Sequence, residues 1–177
     1  MIRNWVSLKP DEQEILQSEL RHIFFESSSK KAFANEVEKE RFWQHWTNYY
    51  FTNCPDLIFL YLVKDKLAGY LMGCADSLKA ESSLKSGLPS YSLFADFFAQ
   101  YPGHLHINLH PDYRGQGMGA QLISAFVREL SKRKIRGVHL VTAPEARNVS
   151  FYRQNGFDFE ATRTWHDHPL LFIGREL

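Results

Sequence analysis

From Leu105 to Ala120 the chain reads Leu-His-Ile-Asn-Leu-His-Pro-Asp-Tyr-Arg-Gly-Gln-Gly-Met-Gly-Ala. No other run constrains the fold as much. A strand passes through a short connector into a glycine-rich turn and then a helix start. Glycines let consecutive backbone N–H groups converge on one point with no Cβ in the way. The helix N-terminus adds donors without intrahelical acceptors and a partial positive charge. Such a turn is a cradle for phosphate or pyrophosphate. A nucleoside-triphosphate loop needs Gly-Lys-Ser/Thr after its glycines, whereas Gly119 is followed by Ala120 and Gln121. A dinucleotide fold places its glycines directly after the strand, with an acid ending the next strand. Here His110–Arg114 intervene and the next strand ends Val141-Thr142-Ala143. A dinucleotide-dependent oxidoreductase is therefore a remote alternative.

The rest of the chain is read around that segment. Its 177 residues predict a single domain over 1–177 with a core that needs no disulfide or metal. A net charge of +1 gives no electrostatic footprint for nucleic acid. No apolar run approaches the roughly 20 residues that span a bilayer, and Met1–Trp5 has no apolar leader. Cys54 and Cys74 lie in no metal-like or CxxC spacing, which predicts reduced thiols and a cytoplasmic setting. Aromatic residues make up 15%, enough to fill a core and also to wall a substrate cleft.

Hydrophobic periodicity orders the elements. Met1–Ser7 reads as a strand, and Ile15, Leu16, Leu20, Ile23 and Phe24 recur at helical spacing. A polar break at Ser27–Lys31 precedes a second helix over Glu36–Phe51, with Phe42, Trp43, Trp46 and Tyr50 on one stripe. Leu57–Val63 and Leu67–Ala75 form a hairpin about Lys64-Asp65-Lys66. An irregular insert follows from Asp76 to Gly103, with a short helix near Tyr91–Gln100. Then come a strand at His104–Leu109, a helix at Gly117–Lys132 and a strand at Gly137–Thr142. A short helix over Ala146–Asn155 is stopped by Gly156, and strands at Phe157–Ala161 and Leu170–Arg175 close the chain. Trp165-His166-Asp167-His168 reads as a turn and His139 as structural. The order predicts an α/β (mixed α+β) fold: a central mixed sheet of about six to seven strands with helices on both faces.

The segment Arg114-Gly115-Gln116-Gly117-Met118-Gly119 resembles motif A of the GCN5-related N-acetyltransferase (GNAT) superfamily, Arg/Gln-x-x-Gly-x-Gly/Ala, with Arg114, Gly117 and Gly119 at its fixed positions. Downstream, Asn148-Val149-Ser150-Phe151-Tyr152-Arg153-Gln154-Asn155-Gly156-Phe157 resembles its motif B, which ends Tyr-x-x-x-Gly-Phe. A fainter likeness, over Gly69–Asp76 and His104–Leu109, is to the acetyltransferase-like domains associated with O-GlcNAc hydrolases, some of which are degenerate.

The resemblance implies a GNAT fold whose parallel pair, His104–Leu109 and Gly137–Thr142, splays apart to admit acetyl-CoA. It implies backbone pairing of the pantetheine arm with Ile107, Asn108 and Leu109, and diphosphate binding by Arg114, Gly115, Gln116, Gly117, Met118, Gly119 and Ala120. It assigns Tyr152 as the acid that protonates the leaving thiolate, the alternative being a packed tyrosine. The usual CoA-facing Asn lies near Glu145 in this chain, so Asn148 is either a substitute ligand or a helix start. The reaction is direct attack of a small-molecule or peptide amine on the thioester, with no metal, in a monomer or homodimer. A catalytically degenerate acyl-CoA-binding regulatory module is the rival within the fold.

On the acceptor side the residues speak for themselves. Alternation puts His104, His106 and Asn108 on one face of the central strand. His106 is read as a base, acting directly or through water, or as a hydrogen-bonded core histidine. Asp76, ending the hairpin strand, is read as a ligand for the substrate amine or as a cap.

Overall fold

Lys64 and Asp65 both have positive φ, 48° and 62°. Two such residues make the turn whose twist suits a two-residue hairpin. They join β2 (Ile58–Val63) to β3 (Lys66–Cys74). His166 and Asp167, with φ of 44° and 65°, do the same for β6 (Phe159–Trp165) and β7 (His168–Glu176). With β1 (Ile2–Asn4), β4 (Gly103–Leu109) and β5 (Gly137–Thr142) these strands form one mixed sheet, in the order β1-β2-β3-β4-β5-β7-β6. The computed structural model describes residues 1–177. The α/β class and a sheet of seven strands are as the sequence predicts. β4 and β5 are the parallel pair, in register at Gly103↔Val138 and His104↔His139.

Contacts cluster into two compact units, each assembled from separate stretches of chain. The first comprises Met1–Gly73 and His106–Phe126. It holds α1 (Pro10–Ser27) and α2 (Glu36–Asn53). Pro10 opens α1, and the Glu12 carboxylate reaches back to the Lys9 N–H at 2.9 Å while pairing with Arg3. The Asn35 side chain caps α2 by accepting the Glu38 N–H at 2.9 Å. Leu16, Leu20, Ile23 and Phe24 are buried from α1, and Trp43, Thr47 and Tyr50 from α2. Ile15, expected on the apolar stripe, is 63% exposed: it lies one residue outside the face that Leu16, Leu20 and Ile23 define.

The second unit comprises Cys74–Leu105 and Val127–Leu177. Its core is Phe94, Phe98, Tyr101 and Phe172. His139 stacks on Phe98 at 5.0 Å and on Phe172 at 4.6 Å, and its Nδ1–H donates to the Tyr101 carbonyl at 2.7 Å. A histidine so enclosed is structural.

The insert is more regular than its sequence suggests. Ser77–Leu84 is a helix, α3, and the short helix expected near Tyr91–Gln100 is a 3-10 helix over Pro89–Phe97. Ala80 and Leu84, one turn apart, are the buried face of α3. Smaller differences fall at element ends. Trp5–Ser7 turns as a 3-10 helix rather than extending β1, and β6 begins at Phe159. The short helix α5 spans Val149–Gln154, and Gly156 behind it adopts φ +81° as a left-handed stop.

Candidate active site

The glycine turn is built in steps. β4 ends at Leu109, and the His110 N–H donates to the Ala68 carbonyl of β3 at 2.9 Å. Pro111–Tyr113 makes one 3-10 turn, with the His110 ring accepting the Asp112 N–H. Gly115 and Gly117 then take φ of +74° and +76°, values at which any side chain strains the backbone. Helix α4 (Met118–Lys132) starts directly after them. Gln121 N–H reaches back to the Gly117 carbonyl at 3.2 Å. The N–H groups before it, at Met118, Gly119 and Ala120, are those a helix leaves without internal acceptors. Gly115, Gln116 and Gly117 are exposed, Met118 and Ala120 are half-buried, and Gly119 is buried.

Arg114 does not project its charge into that opening. Its Nε donates to the Leu109 carbonyl at 3.0 Å and its Nη2 to the Ser27 hydroxyl at 3.2 Å. The side chain ties the loop to the strand exit and to the end of α1. Gln116 is similarly turned inward, its amide donating to the Asp112 carbonyl at 2.9 Å.

Ile107, Asn108 and Leu109 are half-buried at the end of β4. The Asn108 amide donates to the Tyr70 hydroxyl at 2.8 Å and lies 3.1 Å from His106 Nε2. The expected alternation is therefore met: His106 and Asn108 share a face. Rings surround His106, with Phe24 at 6.0 Å, Trp46 at 5.8 Å and Tyr70 at 5.8 Å between centroids. Burial pulls the His106 pKa down to about 4. That shift weakens His106 as the expected base. An imidazole this hard to protonate takes a proton poorly from an alkylammonium, and its Nε2 already faces an amide donor.

At Asp76 the structure shows the cap, the second of the two expected roles. Its carboxylate accepts the Lys79 N–H at 3.0 Å and caps α3. The next residue, Ser77, bonds the Pro102 carbonyl through its N–H at 2.8 Å, so Asp76 meets the chain before β4 begins rather than alongside His106. Asp is a favoured cap because its short side chain reaches the first free N–H groups. His104, on the same face as His106 by alternation, is buried and bonds the Ser77 hydroxyl at 2.8 Å through Nδ1.

Tyr152 is buried on α5, beside Phe151 at 5.3 Å and Phe157 at 5.8 Å. Burial raises its pKa above the usual 10, and a hydrogen bond from Asn148 offsets only part of that. The hydroxyl therefore stays protonated at any working pH. Asn148 stands at the N-cap of α5 and is exposed, but its side chain makes no capping bond. Phe24, Trp46 and Tyr70 are the residues sequence reading missed. The helical stripes that include Phe24 and Trp46 hinted at two of them.

The glycine turn before α4 and the buried Tyr152 on α5 are thus each set by local backbone geometry. A family model described as "Acetyltransferase (GNAT) domain" matches residues 56–158. The chain belongs to the GNAT family of N-acetyltransferases. Solved structures agree in fold. One is SsHAT, with 20% identity, a TM-score of 0.73, and coverage of 99% of this chain and 97% of that one. Another is a Drosophila melanogaster polyamine N-acetyltransferase, described as forming N-acetylagmatine, with 12% identity, a TM-score of 0.67, and coverage of 100% and 99%. A third is the NatC complex bound to Gag peptide and CoA, with 11% identity, a TM-score of 0.64, and coverage of 100% and 98%.

Proposed function

We propose that this chain transfers the acetyl group of acetyl-CoA to a primary amine by direct attack on the thioester. The observation that carries the reading is the pair of left-handed glycines, Gly115 and Gly117, opening α4 within the matched family region. In this reading the backbone N–H groups from Arg114 through Ala120 take the diphosphate, and the backbone of Ile107, Asn108 and Leu109 pairs with the pantetheine arm. Backbone N–H groups are also suited to the oxyanion that develops on the thioester carbonyl. Tyr152, kept protonated by burial, supplies the proton to the leaving thiolate, and Asn148 orients its hydroxyl. The amine loses its proton to solvent rather than to His106. Structural relatives described as acting on agmatine and on a ribosomal protein support an amine acceptor without choosing among amines.

A poor base at His106 favours one rival, a module that binds acyl-CoA without turnover. Calorimetry with acetyl-CoA, CoA and NAD, followed by thiol release across a panel of amines, tests both. Binding of acetyl-CoA with release on at least one amine is the expected result. Binding without release on any amine favours the module, and preference for NAD overturns the assignment.

A further inference from the structure

This inference rests on the acetyltransferase reading and concerns its acceptor. The Asn108 amide nitrogen lies 2.8 Å from the Tyr70 hydroxyl and 3.1 Å from His106 Nε2. An amide NH₂ group has two hydrogens and accepts nothing. One hydrogen goes to each neighbour, so Nε2 is the accepting nitrogen of a neutral imidazole, and the ring proton resides on Nδ1. His106 Nδ1 is buried and has no hydrogen-bond partner. Around the ring stand Phe24, Trp46 and Tyr70. Burial is what moves His106 from its ordinary titration.

We propose that Asn108 and Tyr70 lock His106 as the Nδ1–H tautomer, and that this N–H positions the acceptor by donating to a neutral carbonyl oxygen beside its amine. The acceptor class is then an amino-acid amide or a peptide N-terminus with an apolar side chain. A buried N–H among rings is costly until something accepts it. A carbonyl oxygen accepts and asks for nothing in return. A hydroxyl would need an acceptor of its own, which the rings do not offer. A carboxylate would need a cation to offset its desolvation. A diamine or polyamine has no such oxygen.

Phenylalaninamide and phenethylamine differ by one carboxamide and serve as the probes, with spermidine as the polyamine. The ¹⁵N spectrum of the imidazoles, with His106 assigned through His106→Gln, is expected to show the proton on Nδ1. Phenylalaninamide is expected to shift that resonance, and phenethylamine and spermidine to leave it in place. In thiol release, phenylalaninamide is expected to exceed phenethylamine in kcat/KM by about 3- to 10-fold, carried by KM, as one neutral hydrogen bond allows. Asn108→Asp puts a carboxylate at Nε2, draws the proton there, and is expected to erase the preference while keeping the imidazole. A wild-type proton on Nε2, or equal shifts from amide and amine, overturns the inference. Failure of acetyl-CoA to bind overturns the acetyltransferase reading instead, and the spectra then decide this one alone.

Discussion

Asn148 sits at the N-cap of α5 without capping it, one turn before the buried Tyr152, and its side chain offsets part of the rise that burial gives the Tyr152 phenol. That arrangement suits a proton donor that must keep one orientation while the thiolate leaves. Removing the hydroxyl in Tyr152→Phe leaves the ring and its contacts with Phe151 and Phe157. Turnover is expected to fall by about 10²- to 10⁴-fold, the usual worth of general-acid help, with acetyl-CoA affinity little changed. Asn148→Ala is expected to cost far less, since it frees the hydroxyl without removing it. Steady-state kinetics beside calorimetry checks this. A loss of only a few-fold in Tyr152→Phe assigns the residue to packing.

A side chain at Gly117 meets open space: no atom lies within 4 Å of the position its Cβ would take. Its restriction is the backbone, at φ +76°. Gly117→Ala is therefore expected to cost about 1 kcal/mol in stability and to weaken acetyl-CoA modestly. Gly117→Glu carries the same strain and adds a negative charge beside the proposed diphosphate seat, so affinity is expected to fall much further. Equal affinities for the two variants would remove the diphosphate from this loop.

Gly69 is the opposite case. A Cβ there would stand 2.9 Å from the Asn108 carbonyl oxygen and against the Leu109 side chain. The backbone of β3 approaches β4 at the residues assigned to the pantetheine arm. Gly69→Val is expected to push β4 away, lowering the melting temperature and weakening acetyl-CoA together. Gly174→Ala, whose Cβ would meet the Tyr101 ring at 2.9 Å, is expected to lower stability as well. Acetyl-CoA affinity in folded Gly69→Val equal to wild type would separate the two strands' packing from binding.

What the sequence made legible was local. The glycine turn, both hairpin turns and the Gly156 stop depend on residues within a few positions of one another. Each was readable because positive φ selects particular neighbours. Asp76 misled for the same reason that it caps: a polar residue ending an apolar strand looks the same whether a ligand or a helix follows. The helix it starts was hidden because the Ser- and Lys-rich stretch carries few apolar residues: of its buried Ser77, Ala80 and Leu84, only the last two are apolar. The surroundings of His106 lay furthest from reach. Phe24, Trp46 and Tyr70 come from two helices and a strand, and the Asn108–Tyr70 bond exists only once the register of β3 against β4 is set.

Three histidines are held neutral by burial: His104 well below the usual 6.5, and His106 and His139 at about 4. His104 and His139 also face each other at 5.9 Å, so protonating one opposes the other. Above pH 6.5 neither the folded nor the unfolded chain binds these protons, and their contribution to stability is flat. Between pH 6.5 and 4 the unfolded chain binds protons that the folded chain refuses, so stability falls as pH falls. A shift the size of that at His139 amounts to roughly 3 kcal/mol at its full extent. The paired carboxylates act lower: Glu12, drawn down to about 2 by Arg3, keeps its contribution above its ordinary 4.5 and loses it only toward 2. A drop that begins above pH 5 therefore belongs to the histidines. Thermal melting is expected to show the melting temperature level from pH 8 to 7 and falling steadily from 6.5 to 5. His139→Gln, which retains an N–H for the Tyr101 carbonyl, is expected to flatten that slope. A melting temperature unchanged from pH 7 to 5 would mean that these rings are charged or solvated in the folded chain.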